Sequence, residues 1–69
     1  MAMFIEIELI KNLGKIKFNL NSVACVTLNR REQDNKKQVT VTFVDGTNTT
    51  LVEDIHLLDA ENTYNKFPK

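Results

Sequence analysis

Apolar and polar residues alternate along MFIEIELI, residues 3–10, and again along KIKFNL, residues 15–20. A period of two marks a strand with one face buried. Met3, Ile5, Ile7 and Leu9 fall on one face of the first run, with Phe4, Glu6, Glu8 and Ile10 on the other. In the second run Ile16, Phe18 and Leu20 share a face, opposite Lys15, Lys17 and Asn19. Between them lies KNLG, residues 11–14, which predicts a four-residue hairpin loop with Gly14 in the left-handed position that glycine tolerates best. The register that follows sets Leu9 against Ile16, Ile7 against Phe18 and Ile5 against Leu20. Glu8 then faces Lys17, an opposite-charge pair worth roughly a few tenths of a kcal/mol.

A second hairpin is written in VTVTFVDGTNTTL, residues 39–51. A three-residue loop, Val44-Asp45-Gly46, pairs Phe43 with Thr47, Val41 with Thr49 and Val39 with Leu51. Thr40, Thr42, Asn48 and Thr50 gather on the opposite face. Threonine suits a pleated surface because its branched side chain packs there, so this face reads as a solvated sheet face. Asn21-Ser22 marks a turn. A third strand follows over Val23–Leu28, with Ala24, Val26 and Leu28 on one face and Val23, Cys25 and Thr27 on the other. RREQDNKKQ, residues 30–38, is polar throughout and reads as an exposed hairpin loop.

The pattern changes after Val52. Asp54 is placed to cap a helix over residues 55–62, with Ile55 and Leu58 on one side of a helical turn. Residues 63–69 form a polar tail in which Tyr64 and Phe67 are the aromatic exceptions, able to dock on the sheet or on a neighbour. The fold class is therefore mainly β: an antiparallel meander or small barrel of about five strands with one short C-terminal helix. Residues 3–62 make one domain, and residues 63–69 are a loose tail.

GKIKFNLNSVACV and VTVTFVDGTNTTLVED together resemble two bacterial families. One is the FlbD type of small flagellar protein, through Gly14-Lys15, Asn19, Val23, Val26, Val41, Phe43, Gly46 and Asp54. The LytTR DNA-binding domain is similar over the same strands. Both resemblances cover about residues 5–58, rest on strand alternation and turn glycines, and imply a small β fold. The loop 29–38 departs from the FlbD pattern. The basic, histidine-containing segment of LytTR domains has no counterpart here, so DNA binding does not follow from the likeness.

The 69 residues carry nine basic and nine acidic side chains, without the basic excess that phosphate neutralisation favours in nucleic-acid binders. Cys25 is the single cysteine and His56 the single histidine, so the sequence predicts no disulfide within the chain and no zinc site. A lone cysteine suits a reducing compartment. No apolar run approaches the ~20 residues that span a bilayer, and MAMFIEIE lacks the pattern of a secretory signal. The expectation is a cytoplasmic protein without a membrane partner. Richness in asparagine, lysine and isoleucine fits an AT-rich genome, bacterial or phage.

Candidate chemistry is sparse. Cys25 sits mid-strand and reads as a small buried hydrophobe. Glu6 and Glu8 read as the solvated half of a strand, neutralised by Lys17. The sequence predicts no catalytic residues and no cofactor. Candidate interaction residues are Arg30, Arg31, Lys36 and Lys37 in the 30–38 loop, Phe4 and Ile10 on the outer strand face, and Tyr64 and Phe67 in the tail. Val44 and Val52 extend that outer face. A helix carrying Ile55 and Leu58 covers only part of a five-stranded sheet, and a small chain gains from extra burial. A homo-oligomer with strand 1 as an edge is expected. The function expected first is a non-catalytic protein-interaction module, an accessory factor of a phage or mobile element with a protein partner. A nucleic-acid-binding regulator acting through the basic loop comes second. A small-ligand binder at a subunit junction comes third.

Overall fold

In the computed structural model, which describes residues 3–68, the alternating runs form strands in two antiparallel sheets. β1 (Phe4–Glu8) pairs with β2 (Lys15–Asn19). β3 (Val23–Arg30), β4 (Lys37–Phe43) and β5 (Asn48–Val52) form the second sheet in that order. A 3-10 turn, Leu20–Ser22, links the sheets, and α1 (Ala60–Asn65) closes the chain. The architecture is mainly β with one short C-terminal helix, and the described strands do not close into a barrel. Lys69, the end of the expected tail, lies outside the described residues.

The β4–β5 hairpin has the register that its alternation dictates. Val39 pairs with Leu51 and Val41 with Thr49. Phe43 N–H donates to Thr47 O at 2.8 Å, and Gly46 takes φ +92°. Val39, Val41 and Leu51 are buried, while the Thr40 and Thr50 hydroxyls meet at 3.2 Å on the opposite face.

The first hairpin differs from expectation by a slip of two residues: Ile7 pairs with Ile16 and Ile5 with Phe18. A slip of two leaves every side chain on its face, so burial alone does not choose between the registers. Charge and turn geometry do. The observed register sets Glu6 opposite Lys17 and Glu8 opposite Lys15, two opposite-charge pairs instead of one. Leu9 N–H closes the loop onto Gly14 O at 2.9 Å, and Lys11, Asn12 and Gly14 all take positive φ. Ile10 thereby leaves the strand, and its N–H donates to His56 O at 3.0 Å.

β3 departs from the sequence reading at its start, where Val23 and Ala24 exchange faces. Val23 pairs with Phe43 but Cys25 pairs with Thr42, so Ala24 is the extra residue of a bulge. Val23, Val26 and Leu28 turn to the core, and Ala24 and Cys25 lie exposed. Cys25 is therefore not the buried hydrophobe expected. The strand extends to Arg30, which pairs with Lys37 and shortens the loop to residues 31–36.

The helix is displaced towards the C-terminus. Asp54 (φ +70°) belongs to a turn that bridges Glu53 to Leu57, and Asp59 is the N-cap. Asp59 Oδ1 accepts from Asn62 N–H at 3.1 Å, and Glu53 Oε2 accepts from Ala60 N–H at 3.1 Å. Two acids thus satisfy backbone donors that the first helical turn leaves open. The turn buries Leu57 and pushes Leu58 out to 84% exposure, with Ile55 also exposed. The expected tail is helix and turn as far as Phe67, whose ring is buried.

Ile7 and Phe18 from the small sheet meet Val39, Val41 and Leu51 from the large one, with Leu57, Ala60 and Phe67 completing the core. The inner faces thus cover each other within one chain. Val52, expected on the outer face, is buried as well. Leu57→Ala should cost roughly 2–5 kcal/mol, as a large-to-small change at a fully buried site. Leu58→Ala should change stability by less than about 0.5 kcal/mol. Urea unfolding of the two variants checks this contrast; equal losses would restore the helix start at Asp54.

Candidate interaction surfaces

The 31–36 loop is organised by its own acids. Arg31 and Asp34 form a two-pronged ion pair, with Arg31 Nε donating to Asp34 Oδ1 at 3.1 Å. Arg31 N–H donates to Lys36 O at 2.8 Å, and Lys36 N–H donates to Asp34 Oδ1 at 3.2 Å. Lys36 Nζ reaches Asp54 Oδ2 at 3.2 Å, and Lys37 Nζ reaches Glu61 Oε2 at 3.3 Å. Arg30 Nη1 donates to Asn35 O at 3.2 Å. The four expected cations do lie near one another, but carboxylates face Arg31, Lys36 and Lys37. Asp54 and Glu61 come from distant sequence, so spacing along the loop could not reveal them. Exposed pairs of this kind add little stability; here they offset the positive potential.

The hydrogen bonds from Arg31 and from the Lys36 N–H hold the Asp34 carboxyl below the usual aspartate range. Asp45 is lowered too, by the Thr47 hydroxyl at 2.6 Å and the Thr47 N–H at 2.9 Å. His56 sits in the 54–56 turn, where its Nδ1 accepts from Val52 N–H at 3.0 Å. That bond leaves the ring proton on Nε2. Glu6 and Glu8 face Lys17 and Lys15, with Lys15 Nζ 3.2 Å from Glu6 Oε1.

The apolar candidates separate. Phe67 is buried at 3% exposure against Phe18, so it is structural and unavailable to a partner. Tyr64 packs on the core. Phe4 remains half-exposed, with Lys17 Nζ 5.6 Å from its ring centroid. Ile10 joins a group that the strand pattern hid. Its bond to His56 O and that of Leu13 N–H to Ile10 O draw the 10–13 loop against the 54–58 turn. Leu13, Ile55 and Leu58 are exposed there, and Ile10 and Leu58 line one depression of about 490 Å³. Expecting Leu58 to face the core concealed this cluster.

No family model, curated protein or solved structure matches the chain. The surface itself therefore carries the functional argument. A further surface lies along β3. The strand order places β3 at an edge of its sheet. Ala24, Cys25 and Val26 line a groove of about 250 Å³ with Tyr64, Phe67 and Pro68. Among the described residues, no helix is long and apolar enough to cross a membrane.

A carboxyl whose folded pKa is lowered adds stability that is present above its unfolded value, ~3.9 for aspartate, and is lost as pH falls through the folded value. Asp34 and Asp45 both act in this sense, so their contribution to the melting temperature should be constant above about pH 5 and be lost below about pH 4. Arg31→Ala should raise the Asp34 midpoint and leave Asp45 unmoved. Carboxyl-carbon NMR titration reads both; an unmoved Asp34 would show that Arg31 does not hold it.

Proposed function

We propose that the protein is a non-catalytic protein-interaction module that works as a homo-oligomer and docks a protein partner. Half-buried Ile10 and exposed Leu13, Ile55 and Leu58, carried on two loops drawn together, support the reading. Apolar side chains exposed near one another on a small domain mark contact sites, because their removal from water drives association. The two loops that bear them are joined by the Ile10–His56 backbone bond, so the cluster is presented in one geometry. Aliphatic contacts of this type suit a hydrophobic patch on another protein, with Lys11, Asp59 and Lys66 forming a charged rim.

The charge arrangement supports the same reading. Carboxylates face most of the loop cations, which favours a protein surface over phosphate as the contact. The strand glutamates face lysines, an arrangement suited to solvation rather than acid–base work.

The double variant Leu13→Asp/Leu58→Asp tests the cluster, because both residues are exposed and the fold does not need them. Tagged wild-type and variant proteins are expressed in the same cells, and the co-purifying proteins are quantified. A partner retained by the wild type should fall at least tenfold on the variant while the melting temperature stays within a few degrees. Identical recovery on both would remove this surface from the reading.

A further inference from the structure

We propose that two copies of the chain join along β3, antiparallel, with Thr27 opposite the partner's Thr27. The sheets then merge into one of six strands, three from each copy. This rests on the homo-oligomer reading above and names its interface.

The other edges are shorter, partly closed or guarded. Beyond β5, Val52 N–H bonds His56 Nδ1 and Val52 O accepts from His56 N–H at 2.8 Å, so the 53–57 turn occupies the Val52 end and leaves only the short run Asn48–Leu51. β1 carries Glu6 and Glu8 on one face. Self-pairing over most of its length sets glutamate opposite glutamate. β2 does the same with Lys15 and Lys17. Like charges directly opposite are destabilising, and edge charges are a common guard against sheet-to-sheet pairing. β3 is the longest strand, and from Val23 to Asn29 it has no charge and no proline. Its one charge, Arg30, is at the end.

Self-complementarity fixes the register. With Thr27 on the axis, Val26 faces the partner's Leu28 on the core side and Cys25 faces the partner's Asn29 on the outer side. Arg30 falls opposite the partner's Ala24, where the bulge leaves only a methyl group. Shifting by two in either direction loses this match. One shift sets Arg30 against Val26. The other leaves Leu28 against Ala24, which the bulge has turned outward. The groove beside Ala24–Val26 adds a second fit. The partner's Leu28 arrives at its mouth and covers the walls formed by Tyr64 and Pro68. Leu28 and Val26 are each only half-buried in one chain, so pairing removes apolar surface from water on both sides of the axis.

Thr27 is exposed on the outer face, so it can be changed without touching the core. Directly opposed residues in an antiparallel pair have Cα atoms about 4.5–5.5 Å apart, within disulfide range. Cys25→Ala/Thr27→Cys should form a covalent dimer under mild oxidation. Cys25→Ala/Asn29→Cys, whose new thiols are far from the axis, should not. Thr27→Lys opposes two ammonium groups and should halve the mass seen by sedimentation, from twice to once 7.9 kDa. An oligomer that survives Thr27→Lys and shows no Thr27→Cys link would overturn the β3 interface and leave the homo-oligomer reading standing. A wild-type chain that stays monomeric at millimolar concentration would end both. A ready Cys25–Cys25 disulfide in the wild type would overturn the register, since it needs Cys25 on the axis.

Discussion

The ring of Phe18 holds the molecule together. It leaves the small sheet, stacks at 6.1 Å against Phe43 of the large sheet, and meets Phe67 edge-on at 5.6 Å. A two-stranded sheet is marginal alone in water, and a six-residue helix is well below the length that is stable in isolation. Neither element stands without the other parts, and one aromatic side chain ties the small sheet to the large one and to the segment just after the helix. Removing apolar surface from water at this junction is what offsets the entropy of ordering the chain.

Around that core the charges are arranged to do little. Lysines of β2 face glutamates of β1, and Arg31, Lys36 and Lys37 meet acids from three separate segments. The surface features left to act are apolar: the loop cluster at Leu58 and the neutral edge at β3. The depression beside Leu58 and the groove beside Ala24–Val26 share no lining residue.

Much of this was legible in the alternation. The β4–β5 register followed from Gly46 and from matching Val39 with Leu51, because only one loop length kept the faces apart. The first hairpin was legible in its faces but not in its register, since a slip of two preserves burial and the deciding Glu6–Lys17 pairing is a small energy. The bulge at Ala24 left no mark, because alanine and cysteine fit either face. The helix start was misplaced because Asp54 and Asp59 are both good caps. Choosing between them required knowing that Leu57, and not Leu58, has a place in the core. The basic loop was legible as a cluster of cations. Its neutralisation by Asp54 and Glu61 was not, because those contacts span 18 and 24 residues.

The bond from Ile10 N–H to His56 O has a temporal side. β1 and β2 emerge from the ribosome before the other described strands, and both of their face-preserving registers are open to them there. A contact that holds Ile10 in the loop, off the strand, is supplied by a residue made some forty-six positions later. During synthesis, which runs at about 5–20 residues per second, the hairpin spends seconds without that latch. This hairpin, made before the turn that latches it, is thus locked late, and it waits on the turn that also buries Leu57.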